Sequence, residues 1–93
     1  MDKIVLLRIE GRVQGVGYRA WAVREARWLG LAGWVRNRAD RSVEVLIRGP
    51  EEAVDRFVEA ARRGPYAAEV RAVRVSPAEG AEAPMPFIAR ATA

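Results

Sequence analysis

The segment Gly11-Arg12-Val13-Gln14-Gly15-Val16-Gly17-Tyr18-Arg19 concentrates the residues best suited to chemistry. It leaves a strand-like run and enters a helix-like one. Its three glycines, at alternate or near-alternate spacing, let the backbone curl until successive N–H groups converge on one point. The N-terminus of the following helix adds a partial positive charge. Arg19, at the start of that helix, offers a planar fork matched to phosphate oxygens. Loop amides, helix dipole and guanidinium together make an anion site sized for one phosphate. From spacing alone, a plain glycine turn with a surface arginine accounts for the segment equally well.

Two better-known phosphate motifs do not apply. Gly15-x-Gly17-x-x-Ala20 matches the dinucleotide fingerprint, and Asp40 follows at the expected distance. The segment after the helix, however, reads as a hairpin with Asp40 in its turn, and 93 residues supply too few strands for that fold. A Walker A loop is excluded because no Gly-Lys-Ser/Thr follows the glycines.

The remaining inventory narrows the chemistry. The chain has no Cys and no His, which excludes disulfides, zinc fingers, thiol nucleophiles, imidazole bases and phosphohistidine intermediates. Ser42, Ser76 and Thr92 are its only aliphatic hydroxyls. Fifteen of the sixteen basic residues are Arg, and the net charge of +4 suits an anionic partner: phosphate, nucleic acid or an acidic surface. A codon or thermal-stability bias toward Arg and Ala explains the same composition. The early apolar run Ile4-Val5-Leu6-Leu7 closes at Arg8, too short for a signal peptide or a membrane span. Ninety-three residues, 51% hydrophobic and 30% charged, imply one soluble domain over residues 1–93.

The elements that must position the loop follow from periodicity. Lys3–Val13 reads as a strand, with Val5, Leu7 and Ile9 on one face and Arg8, Glu10 and Arg12 on the other. Tyr18–Leu29 reads as a helix, with Tyr18, Ala22, Ala26 and Leu29 on one stripe and Gly30 just beyond. Gly33–Ala39 and Ser42–Arg48 form an expected hairpin around Asp40-Arg41. Gly49-Pro50-Glu51-Glu52 opens a second helix with a buried stripe of Val54, Phe57, Val58 and Ala61, ended by Arg62-Arg63-Gly64-Pro65. Residues 69–76 form another strand, with Val73 and Val75 on one face. Residues 77–86 form a loop, and 87–91 a possible short fifth strand. The order β-α-β-β-α-β implies an α+β, ferredoxin-like split βαβ fold: an antiparallel sheet with two helices packed on one face.

At this point a family resemblance carries further information. The nine-residue glycine segment, followed by Leu29-Gly30-Leu31-x-Gly33-Trp34-Val35-Arg36-Asn37, closely resembles the acylphosphatase family. The match continues through Val43-Glu44-Val45, Gly49-Pro50-Glu51, Gly64-Pro65, Val70-x-x-Val73-x-Val75 and Phe87-x-x-Arg90. The resemblance implies hydrolysis of carboxyl-phosphate mixed anhydrides to a carboxylate and inorganic phosphate, with no metal, no cofactor and no covalent intermediate. It implies that Arg19 is the phosphate-binding catalytic arginine and that Asn37 orients the attacking water. The backbone amides of Gln14, Gly15, Val16, Gly17, Tyr18 and Arg19 are then expected to hold the phosphoryl oxygens.

Elementary chemistry is consistent with those roles. An acyl phosphate carries a good leaving group, so positioning and charge stabilisation matter more than a strong base. Asn37 is no base, but its amide oxygen can hold a water in line while its NH₂ donates elsewhere. The hairpin strand that carries it is expected beside the first strand, facing the loop. The family commonly has Gly where Arg41 stands in the hairpin turn. Either the turn is of another type, or Arg41 takes a positive φ at a cost of roughly 1–2 kcal/mol. Ala89 replaces a bulkier apolar residue of the last strand, and Ala91-Thr92-Ala93 is expected to fray.

Other prominent residues read as structural. Trp21 and Trp28 are expected to pack or lie half-exposed, and Trp34 to line the pocket or sit on the sheet face. Glu51, Glu52, Asp55 and Glu59 are expected on a solvated helix face. Among rival functions, RNA-recognition domains need an aromatic run on central strands, which this chain lacks, so no specific nucleic-acid partner is expected. An acylphosphatase-like domain also opens the hydrogenase-maturation carbamoyltransferases, where it handles carbamoyl phosphate before Cys-rich zinc motifs. A chain of 93 residues without Cys favours a free-standing enzyme. The expected partners are an acyl phosphate and inorganic phosphate, without membrane association, in a cytoplasmic monomer.

Overall fold

In the computed structural model, which describes residues 1–93, the period-2 and period-3.6 patterns become seven elements. They are β1 (Asp2–Arg12), α1 (Tyr18–Trp28), β2 (Ala32–Asn37), β3 (Val43–Pro50), α2 (Glu51–Ala61), β4 (Glu69–Pro77) and β5 (Ile88–Ala89). The strands form one sheet in the order β4-β1-β3-β2-β5. Both helices pack on one face, over Val5, Leu7 and Ile9 of β1 and Val43, Val45 and Ile47 of β3. Tyr18, Ala22 and Ala26 of α1, Val54, Phe57 and Ala61 of α2, with Val13, Leu31, Val35 and Phe87, complete the core. Leu29 and Val58, expected on the buried stripes, are half-buried and pack at its margin. No helix is long and apolar enough to cross a membrane.

Three expectations are corrected. The sheet is mixed, because β5 runs parallel to β2 while the other pairs are antiparallel. The register explains it: β4 ends opposite Val5, at the end of the sheet where β2 begins, so a strand entering there must follow β2. The strand carrying Asn37 does not adjoin β1; β3 lies between them, with Val43 paired to both Ile9 and Asn37. Val75 shares its face with Val73, as expected, and is 46% exposed because β4 is an edge strand beyond the cover of the helices. The tail does not fray: Arg90 N–H donates to Val35 C=O at 2.8 Å and Ala93 N–H to Asn37 C=O at 3.0 Å. Ala39 N–H returns a bond to Ala93 C=O at 3.1 Å, so the tail extends the parallel ladder.

The β2–β3 turn settles the question of Arg41. Arg38 N–H donates to Ser42 C=O at 2.8 Å and Arg41 N–H to Arg38 C=O at 3.0 Å. Arg41 has φ 79°, the left-handed residue that closes a three-residue hairpin loop and favours glycine. It is the only non-glycine residue with positive φ, at a cost of roughly 1–2 kcal/mol. Asp40 compensates in part, accepting from the Ser42 N–H at 2.9 Å, from the Ser42 hydroxyl at 2.6 Å and from Arg8 at 2.7 Å.

The tryptophans divide. Trp21 packs edge-on against Tyr18 and near Phe57, whereas Trp28 is 86% exposed. Trp34 is only 8% exposed on the sheet face away from the helices, beneath the guanidinium groups of Arg36 (4.7 Å) and Arg90 (5.2 Å).

Candidate active site

The loop between β1 and α1 is shaped by what it buries. Val13 is buried and Val16 packs at the core margin, so the apolar side chains turn inward and the backbone faces out. Gly15 (φ 74°) and Gly17 (φ 81°) are left-handed, and an added Cβ at either would meet no atom within 4 Å. The backbone dihedral, not crowding, therefore selects glycine at both positions.

The hydrogen-bond ledger of this loop is unusual. The first helical bond of α1 is Trp21 N–H to Gly17 C=O at 3.0 Å, and no side chain caps the helix. The seven backbone N–H groups from Gln14 to Ala20 find no acceptor anywhere in the chain. Helix N-termini leave such donors free, and anions are the groups that suit them. α2 offers a contrast: Glu51 and Glu52 occupy its first turn, whereas the first turn of α1 carries no acid. The positive end of α1 is thus left uncompensated by the protein.

Arg19 and Asn37 meet this backbone at one cavity. A space of about 240 Å³ is lined by Val13, Gln14, Gly15, Gly17, Tyr18, Arg19, Ala20 and Asn37, with no carboxylate among them. The Val16 side chain packs against the core and does not line this space, while its N–H is one of the unpaired donors. Asn37 arrives because β1 and β2 run parallel, so their carboxyl ends lie at the same end of the sheet even with β3 between them. Arg19 makes no ion pair with a carboxylate; its guanidinium donates to the Arg90 carbonyl at 3.2 Å. That contact aims the fork while leaving most of its donors free.

Two features of the site lie beyond sequence reasoning. The Gln14 side-chain amide donates to Arg38 C=O at 2.8 Å and Ser42 C=O at 2.9 Å, lacing the loop to the hairpin that carries Asn37. The Arg90 carbonyl enters only through the parallel docking of the tail; its one trace in the sequence is the Phe87-x-x-Arg90 spacing. Tyr18 contributes backbone, not acid–base chemistry. Its buried phenol donates to Ala61 C=O at 2.8 Å, and burial pushes its pKa well above the ordinary tyrosine value. Asp40 stays outside the cavity. Its hydrogen bonds from Ser42, and secondarily the charges of Arg8 and Arg38, hold its carboxyl below the usual aspartate value. No group of three or more carboxylates gathers in a metal-binding arrangement. What remains is an unpaired arc of N–H donors, one guanidinium and one neutral amide around a small cavity. That set can bind a phosphoryl group and order a water beside it.

Comparison with known proteins places the chain among relatives of one family. The family model described as Acylphosphatase matches residues 5–87. An acylphosphatase of Azoarcus sp. is 60% identical over 82% of this chain and 81% of its own length. One from Rhodospirillum rubrum is 54% identical over 88% and 90% respectively. The crystal structure of acylphosphatase from Bacillus subtilis superposes with a TM-score of 0.89 at 39% identity, covering 97% of this chain and 99% of that one. Sequence kinship and fold both extend over the glycine loop and the strand of Asn37, and on that ground the chain belongs to the acylphosphatase family.

Proposed function

We infer that this enzyme hydrolyses the carboxyl-phosphate bond of acyl phosphates by positioning and electrostatics alone. The run of unpaired N–H groups from Gln14 to Ala20, on a loop that lines one cavity with Arg19 and Asn37, is the observation that carries this reading. In this scheme the loop amides and the Arg19 fork take the phosphoryl oxygens, where charge spreads in the transition state. The Asn37 side-chain oxygen accepts a hydrogen bond from the attacking water and holds it in line. The water oxygen bonds to phosphorus as the bond to the carboxylate oxygen breaks. The carboxylate leaves with the electron pair, and the water proton passes to solvent. The carboxylate is a weak enough base to depart without a general acid, which suits a site lacking His, Cys and carboxylates. The reaction needs no metal in this reading. The enzyme acts as a cytoplasmic single-domain monomer.

The test is a benzoyl phosphate hydrolysis assay without added metal and in excess chelator. Full activity is expected; activity lost to chelator overturns the mechanism. Arg19→Ala should lower kcat/KM by about 10²–10³-fold, the size expected for removing a donor from the developing charge. Asn37→Ala should lower kcat about 100-fold through loss of positioning, with competitive inhibition by phosphate largely kept. An Asn37→Ala enzyme with wild-type kcat would refute the water-holding role.

A further inference from the structure

Two exposed arginines beside the cavity are held by unusual backbone and answer no carboxylate. Arg41 occupies a left-handed position that suits glycine, at φ 79°. Arg71 lies on β4 opposite the register shift between Glu10 and Gly11 of β1, a kind of irregularity that re-aims side chains. Neither makes an ion pair. The neighbouring charges are matched instead: Arg12 with Glu69 at 3.3 Å, Arg74 with Glu10 at 3.2 Å and Arg8 with Asp40 at 2.7 Å.

Both arginines line one depression of about 190 Å³, which shares Val13 and Gln14 with the wall of the active-site cavity. It runs on past Gly11 into a wider hollow of about 450 Å³ in which both arginines recur. The Glu10 and Asp40 carboxylates that border this hollow are the ones already paired. The net charge left at the junction with the active site is therefore positive. Strained backbone retained at an exposed charged residue points to a role for that residue.

We propose that Arg41 and Arg71 form a subsite for a second anionic group carried on the acyl half of the substrate. The preferred substrate is then an acyl phosphate bearing a further carboxylate or phosphate, and not a simple alkanoyl phosphate. This rests on the acyl phosphate reading above. The cradle and the depression share Val13 and Gln14, so an acyl chain leaving the cradle across Gln14 would carry its far charge to the two planar forks.

The experiment compares kcat/KM for 3- and 4-carboxybenzoyl phosphate with kcat/KM for benzoyl phosphate. The aromatic ring prevents the extra carboxylate from attacking its own acyl phosphate. The readout is the ratio of the two constants. It should exceed one in the wild type for at least one isomer, fall roughly fivefold in Arg41→Gly and in Arg71→Gln, and fall further in the double variant. Arg41→Gly introduces the residue that the turn geometry favours, so loss of folding does not cloud the result. Arg56→Gln removes an equally unpaired charge from α2 and should leave the ratio unchanged. A ratio unmoved by Arg41→Gly and Arg71→Gln, or moved as far by Arg56→Gln, overturns the subsite. A wild-type enzyme inert toward all the compounds overturns the acyl phosphate reading and the subsite with it.

Discussion

At the scale of single residues, the hairpin turn shows how one carboxylate can steady a strained backbone. Asp40 accepts two bonds from Ser42, and these, ahead of the charges of Arg8 and Arg38, depress its pKa. A depressed folded-state value means the ionised form is favoured by folding. The stabilisation is thus present above the unfolded value of about 3.9 and disappears as pH falls through the folded one. An NMR titration of the Asp40 carboxyl should show a midpoint below the ordinary value, and Ser42→Ala should move it up more than Arg8→Gln does. An unmoved midpoint in Ser42→Ala would mean that the arginine charges dominate instead. Arg19 illustrates a different point: its type and position were legible in sequence, but the Arg90 carbonyl that aims it was not.

At the scale of elements, the site is a junction of two strand ends and one helix end. β1 delivers the glycine loop, α1 its uncompensated N-terminus and β2 the amide of Asn37. Gln14 ties the first of these to the last through two carbonyls of the hairpin. Gln14→Ala keeps every backbone donor but cuts both ties, so it should lower kcat roughly tenfold by letting loop and Asn37 drift apart. Stability should fall by only about 1–2 kcal/mol, because each carbonyl keeps its backbone partner. A fall in kcat fully explained by unfolding would reduce Gln14 to a structural tie. Element types were readable from periodicity and from the glycine and proline punctuation. The pairing of β5 was not, since two residues of strand carry no directional signal.

At the scale of the whole molecule, one core supports this junction, and its depth varies sharply across the sheet. Phe57 is fully buried, with ring centroids 6.1 Å from Trp21 and 6.4 Å from Phe87, so it joins both helices to the closing segment. Phe57→Ala should cost about 3–5 kcal/mol in urea unfolding. Val75→Ala, on the edge strand outside helix cover, should cost under about 1 kcal/mol. Equal losses would mean that the edge strand contributes to the core as much as the centre does.

The glycine loop, its helix, the arginine in the helix's first turn and the order of the elements were all legible in the chain. Each depends on local chemistry: allowed φ, dipole, hydrophobic period, turn residues. The same locality explains why the absence of His and Cys could direct attention to a mechanism of position and charge. The three-dimensional packing was needed to establish that β3 separates β1 from β2, that their parallel carboxyl ends nonetheless bring Asn37 to the loop, and that the tail docks beside Asn37. It also decided how the arginines are placed: most meet a carboxylate or a carbonyl, while Arg41 and Arg71 stand unpaired beside the cavity. Strand order and charge pairing join residues far apart in the chain, and no local pattern encodes which distant groups will meet.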